Sequence, residues 1–293
     1  MRSRPLRDVE LAEGNAGPGR IPAHLYVHVP FCVRKCRYCA FYSLEHADET
    51  LLERYVDCVR TELRLRARSV APCAGATASA SGSGSASQSG SASQSEAESP
   101  SSLPTLHTLY VGGGTPSLLG SGRLARVLEA VRSVAAVAPS CEVTLEVNPA
   151  TLDRVGVLAC RAAGVNRVSI GVQSFHDAHL AWLGRAHDVR RALRTVKDAL
   201  ATGMRVSIDL IYGLPGQTRS EWAQDLEHAA ALGVGHISAY ELKNEPGTRL
   251  HAERAAGAAG GGETGPADCR RAPRRSGETM AGETGDDLFF LTH

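Results

Sequence analysis

Three cysteines, Cys32, Cys36 and Cys39, stand close together in a chain of 293 residues, whereas Cys58, Cys73, Cys141, Cys160 and Cys269 are scattered. Thiolates are soft ligands, suited to zinc or to an iron–sulfur cluster. Structural zinc closes with four ligands. No fourth cysteine follows nearby, although His28 and His46 are near enough in sequence to serve. A cubane cluster held by three cysteines instead leaves one iron without a protein ligand, free to bind a small molecule. Cys58 and Cys160 fall in apolar helical patterns and read as core filling.

Other chemistry-bearing residues recur at fixed places. A glycine-rich turn, Gly112-Gly113-Gly114-Thr115, lets a ligand approach the backbone closely. Glu146 and Asp209 can accept from hydroxyl or amino groups, Gln173 can donate and accept, and Arg185 offers a planar fork for a carboxylate. Each of these polar residues taken alone is equally a helix cap or a surface ion pair. Eleven histidines are present, and His24, His28, His176, His179 and His187 fall near these loops, where each reads as an ordinary polar residue.

The elements that must position these groups follow from periodicity. Short β-branched or apolar runs at 24–29, 108–111, 142–147, 167–172, 205–212 and 236–240 read as strands bounded by Gly, Pro, Asn or Cys. Between them, apolar residues spaced three and four apart predict helices over 49–68, 121–137, 152–163, 189–202 and 220–232. This alternation is that of a parallel α/β protein, either a doubly wound open sheet or a (β/α) barrel. A full eight-stranded barrel takes ~250 residues, and with six strands in sight a barrel here is a partial one. Every motif above sits at the C-terminal end of an expected strand, the face where α/β barrels build their sites.

Composition narrows the function classes. A formal net charge of +1 provides no field to draw the chain to nucleic acid or an anionic surface. No apolar run approaches the roughly 18 residues a membrane span needs, and the first residues lack a secretory h-region. With clustered rather than evenly paired cysteines, a reducing, cytoplasmic location is expected. Residues 1–20 read as a flexible N-terminus and 21–254 as the core. The stretch 77–102, with 12 Ser in 26 residues, reads as a disordered insertion, and 255–293 as a low-complexity, disordered tail.

The spacing Cys32-x3-Cys36-x2-Cys39 resembles the signature of the radical S-adenosylmethionine (SAM) superfamily, in which SAM chelates the open iron of a [4Fe–4S] cluster. With the glycine turn, Thr144-Leu-Glu-Val-Asn-Pro149, Ser169-Ile-Gly-Val-Gln-Ser174, Leu183-Gly-Arg-Ala-His187 and Asp209-Leu-Ile-Tyr-Gly-Leu-Pro215, the chain resembles HemW-type haem chaperones. These are a branch of the oxygen-independent coproporphyrinogen III oxidase-like family. The resemblance implies a partial (β/α)6 TIM-like barrel of the radical SAM type. It implies that Cys32, Cys36 and Cys39 hold the cluster, and that Tyr26, Tyr38, Gly113, Gly114, Thr115, Glu146, Gln173, Arg185 and Asp209 contact SAM. It further implies that haem is bound and delivered to acceptor haemoproteins, respiratory ones among them. The oxidase branch carries a fourth cysteine two residues after the third, where this chain has Phe41, so a chaperone is expected before a porphyrinogen oxidase. Arg37 and Ala40 stand where the family more often has Pro and Asp. Family members continue into a further C-terminal domain that 255–293 does not resemble, so a truncated, partly functional member is a third expectation.

Overall fold

A computed structural model describes residues 24–70 and 105–259. The expected N-terminal arm, the Ser-rich insertion and the tail beyond 259 lie outside the described residues. The chain runs through β1 (His24–Val29), a short pair β2 (Phe31–Cys32) and β3 (Leu44–Glu45), α1 (Glu49–Val70), β4 (Thr105–Gly113), a 3-10 turn (Pro116–Leu119) and α2 (Gly120–Arg132). There follow β5 (Ala136–Val147), α3 (Arg154–Ala163), β6 (Arg167–Gln173), α4 (Asp177–Leu183), α5 (Val189–Ala201), β7 (Arg205–Tyr212), α6 (Arg219–Ala231), β8 (His236–Glu241) and α7 (Arg249–Ala259).

Six strands form one sheet in the order β1-β4-β5-β6-β7-β8, every neighbour parallel. That order separates the two architectures left open by periodicity. A doubly wound sheet reverses direction at a switch point, whereas here each strand lies beside the next in sequence, the winding of a barrel. The fold is a partial (β/α)6 barrel.

Alternation along the strands gives the sheet two unlike faces. Val27, Val29, Leu109, Val111, Val143, Leu145, Val168, Ile170, Val206 and Ile208 are buried in one core with Val127, Val131, Val157, Val196 and Trp222 of the helices. The residues between them are polar: Tyr26, His28, Tyr110, Thr144, Glu146, Ser169, Ser207, Asp209 and Ser238. The apolar face holds the barrel together, and the polar face is left for chemistry.

Among the departures from the expected elements, three change how the chain runs. The helix expected over 121–137 stops at Arg132, where the Ser133 hydroxyl donates to the Ala130 carbonyl at 2.7 Å. Strand β5 then starts at Ala136, and its pairing skips from Val137 to Glu142 opposite Leu106 and Thr108. Pro139 sits in the skipped stretch, where a missing N–H costs no ladder bond. The α4 helix was not foreseen because its seven residues span barely two turns. Leu183 closes it and Gly184, at φ 75°, caps it, so Leu183 to His187 is the exit from α4. The third is α7, which carries the chain as helix five residues past the expected core boundary at 254.

Candidate functional site

The cysteine loop bridges β2 and β3. Its base is closed by Leu44 N–H donating to the Pro30 carbonyl at 2.7 Å, and its tip turns through Cys39 N–H to the Cys36 carbonyl at 3.2 Å. Phe31 anchors the entry, edge-on to Tyr55 at 5.2 Å, whose hydroxyl donates to the His28 carbonyl at 2.6 Å. Cys32 is buried against the glycine turn, where the Thr115 hydroxyl donates to its sulfur at 3.6 Å. A Cβ on Gly114 would lie 2.6 Å from the Phe31 carbonyl oxygen and 3.1 Å from Cys32 Sγ, so only glycine lets the turn lie against the loop.

Cys32, Cys36 and Cys39 are all free thiols. Burial pushes the Cys39 thiol up, and Cys36 and Cys32 push it further. Three thiolates at this spot need a cationic group to hold them together. Among the described residues no three His, Cys, Asp or Glu side chains are grouped as a single metal ion would require. The donor set, three soft thiols on one loop with a glycine cradle beneath it, fits an iron–sulfur cluster.

Arg185 ties the loop to the sheet. Its Nη1 donates to Cys36 Sγ at 3.3 Å and its Nη2 to the Gly171 carbonyl at 2.8 Å, while the buried Nε has no protein partner. Burial works against its charge, but Tyr38 and Cys36 outweigh burial and hold the guanidinium above its ordinary value. Tyr38 is packed against Leu183, Ile211 and Leu214 and hydrogen-bonds Cys36. Burial raises its phenol, with Arg185 opposing. Gln173, at φ 70° where β6 bulges against β7, turns its amide towards Gly171 and Arg185.

A second group lies on β1, β4 and β5. Glu146 accepts from Tyr110 Oη at 2.8 Å and from Gly113 N–H at 2.9 Å. Burial pushes its carboxyl up, and those two bonds pull it down. Tyr26, 54% exposed, stacks on Tyr110 at 5.9 Å and shares a 2.9 Å hydrogen bond with His28 Nδ1. Asp209 accepts from Ser169 at 3.3 Å and from Ser238, and burial raises its carboxyl. Gly114 N–H donates to the Val29 carbonyl at 2.8 Å. The glycine turn therefore has its Gly113 and Gly114 N–H groups spent, and what it offers a ligand is closeness and carbonyl oxygens.

The expected residues thus fall on the polar face and at the strand ends, in two linked sets: Cys36, Tyr38, Arg185 and Gln173, and Tyr26, Gly113 and Glu146. Cys32, Gly114 and Thr115 lie between them, and Asp209 acts electrostatically on Glu146 from β7. Tyr110, Ser169 and Ser238 were missed, although alternating polar residues in strands buried on their other face were the available signal. His187 is a packed neutral histidine whose Nε2 donates to the Val172 carbonyl at 3.2 Å. His176 and His179 belong to a buried network in which Asp225 accepts from Ser174 Oγ at 2.9 Å and from Phe175 N–H at 2.6 Å. A cavity of about 1110 Å³ lies outside the barrel between α3 and α5 and touches the site through Arg185 and His187.

Residues 96–229 match the model of the radical SAM superfamily. The chain is 37% identical over 236 residues to the heme chaperone HemW of Mycobacterium tuberculosis, covering 80% of this chain and 52% of that protein. It is 35% identical over 228 residues to the heme chaperone HemW of Escherichia coli, covering 78% and 52%. It is 36% identical over 262 residues to the mitochondrial radical S-adenosyl methionine domain-containing protein 1 of Bos taurus, covering 88% and 51%. Among solved structures, coproporphyrinogen III oxidase (HemN) from Escherichia coli, described as a radical SAM enzyme, superposes with a TM-score of 0.65 at 26% identity, covering 80% of this chain and 47% of that one. The chain spans about half the length of these relatives.

Proposed function

Since this chain belongs to the radical SAM superfamily and is similar to HemW-type haem chaperones, we propose that Cys32, Cys36 and Cys39 hold a [4Fe–4S] cluster with SAM beside it, in a core of residues 21–254 continued by α7. The observation that carries this reading is the convergence of the cysteine loop, the glycine turn and the buried Arg185 on one edge of the polar face. When bound, such a cluster supplies one iron free to take a small-molecule ligand and a site for one-electron chemistry.

The chain's own residues then have distinct tasks. Arg185 keeps its charge beside Cys36 and has its Nε still to give, which suits the SAM carboxylate. Gly113, Gly114 and Thr115 leave room for the methionyl group to reach main-chain carbonyls. Glu146 and Asp209 accept from the amino group and the ribose hydroxyls, Gln173 adds an amide at the bulge, and Tyr26 and Tyr38 wall the site.

The proposed activity is that of a haem chaperone, which binds haem and passes it to acceptor haemoproteins, respiratory ones among them. Phe41, at the position of the oxidases' fourth cysteine, supports this over porphyrinogen oxidation. The likeness to HemN favours the oxidase as the second reading. No helix among the described residues is long and apolar enough to cross a membrane, and we place the protein in the cytoplasm.

Anaerobic reconstitution with iron and sulfide tests the cofactor: about four irons per chain and a visible absorption band are expected, both lost on Cys36→Ser. A triple-cysteine variant that keeps the same iron overturns it. A saturable Soret shift with haem supports the carrier, and product formed from coproporphyrinogen supports the oxidase.

A further inference from the structure

The cysteine loop is bolted down by a residue that is not a ligand. Arg37, between Cys36 and Tyr38, gives its N–H to the Leu183 carbonyl at 3.3 Å and its own carbonyl to the Leu250 N–H at 2.8 Å. One peptide unit on each side thus satisfies the last turn of α4 and the first turn of α7, groups that no helix can satisfy for itself. The side chain repeats the bridge. Nη1 donates to the Trp182 carbonyl at 3.2 Å, the guanidinium lies 5.0 Å from the Trp182 ring centroid, and Nε donates to Glu253 Oε2 at 3.1 Å, with Nη2 joining the same carboxylate. Arg37 and Glu253 side chains are 20% and 34% exposed, so the pair is shielded from water on most sides. Arg34 makes a parallel clamp, donating to the Gly184 carbonyl at 3.1 Å and the Arg185 carbonyl at 2.7 Å.

We propose that Arg37 and Glu253 are positioning residues for the cluster, and that α7 acts as a latch which keeps the cysteine loop closed over it. This rests on the cluster reading above. The loop has only a two-residue strand pair of its own, β2 with β3, to hold it. Cys36 and Cys39 lie on the side of the loop that this pair does not reach. Beyond the strand pair they are held by Arg185 on Cys36, by Tyr38 packed on Leu183, Ile211 and Leu214, by the Arg34 clamp, and by the Arg37 bridge, which alone among these reaches α7. Releasing Glu253 removes the side-chain half of the bridge to α7 and leaves the Leu250 N–H bond and the Trp182 contacts in place, so the loop opens more often at Cys36 and Cys39 while Cys32 stays packed in β2.

The test is the rate at which an iron chelator strips the reconstituted full chain under anaerobic conditions, read from the loss of visible absorption. Glu253→Ala is expected to speed stripping about two- to fivefold, the scale of a partly shielded ion pair, with Glu253→Gln between it and the wild type. Arg249→Ala is the control, because Arg249 pairs with the same Glu253 at 3.1 Å and, among the described residues, has no hydrogen bond or ion pair to the loop. It should leave the rate unchanged. Unfolding midpoints of the cluster-free proteins, measured alongside, should fall for Glu253→Ala by no more than the ion pair is worth, about 1 kcal/mol, and a larger fall, which would mean general unfolding rather than loop opening, overturns the latch. Equal stripping rates for Glu253→Ala and wild type overturn the latch, as does Arg249→Ala acting as strongly as Glu253→Ala. A wild type that takes up no iron refutes the cluster reading instead, so the two failures are distinguishable.

Discussion

Replacing Gly114 by alanine puts the packing of the site to a quantitative test. Gly114 is not in the left-handed region, so an alanine there carries no backbone strain of its own. Its Cβ, however, would stand 2.6 Å from the carbonyl oxygen and 3.0 Å from the carbonyl carbon of Phe31, and 3.1 Å from Cys32 Sγ. Two of these are backbone atoms of β2 and cannot swing aside as a side chain can. Reaching an ordinary contact of 3.4 Å from 2.6 Å moves the turn and β2 apart by about 0.8 Å. Gly114 cannot supply that movement freely, because its N–H is held at 2.8 Å by the Val29 carbonyl.

Overpacking of this kind costs about 1–3 kcal/mol, and the displacement falls on Cys32. Urea unfolding of Gly114→Ala should show a lowered midpoint, and reconstitution should give less iron per chain. Gly122 supplies the comparison: it lies in α2 with nothing within 4 Å of an added Cβ. Alanine there should stabilise by about 0.4–1 kcal/mol and leave iron content unchanged. If Gly114→Ala unfolds at the wild-type midpoint and takes up full iron, the turn does not press on the loop as described and the reasoning fails.

Burial, then the Arg185 charge, pushes the His187 imidazole down to about 4. The unfolded chain therefore binds the extra proton first, and stability is full above roughly pH 6.5 and falls by up to about 3 kcal/mol towards pH 4. Urea midpoints at pH 7 and 4.5 should show this decline and a shallower one for His187→Gln. Asp225→Ala leaves the buried Phe175 N–H and Ser174 hydroxyl without their acceptor and should cost about 1–3 kcal/mol in thermal unfolding. ATP should fail to displace SAM in equilibrium dialysis even at large excess, and effective displacement would contradict the electrostatics of the polar face.

Much of this was readable in the sequence because the signals were local. Six β-branched runs, five amphipathic stretches and a cysteine spacing each occupy a few consecutive residues, and parallel strands buried on one face announce themselves as apolar runs. The strand order was not readable, since periodicity says nothing of which strand neighbours which. The latch was invisible for a related reason. Arg37 and Glu253 are 216 positions apart, and α7 has no strong apolar stripe to betray it, being held through Leu250 and through the ion pair rather than by a broad buried face. Arg37 stood out in sequence only as a departure from the family's usual Pro, which says that something differs there and not what.

The glycine turn shows most clearly why motif and function need the geometry between them. Gly112-Gly-Gly-Thr after a strand has the look of a phosphate cradle, in which free N–H groups converge on an anion. Here the Gly113 N–H is taken by Glu146 and the Gly114 N–H by Val29, so those donors are no longer available. The nearby groups add negative charge: Glu146 accepts from the turn itself, Asp209 lies across the polar face, and both carboxyls are raised by burial, as is the Cys39 thiol. Desolvated acceptors of this kind are relieved by a cation and aggravated by a polyphosphate. A nucleoside carrying a sulfonium and an ammonium in place of phosphates meets that demand, while its single carboxylate has Arg185 to go to. The glycines that would argue for a nucleoside triphosphate in another setting therefore do not argue for one here, which supports the S-adenosylmethionine site proposed above.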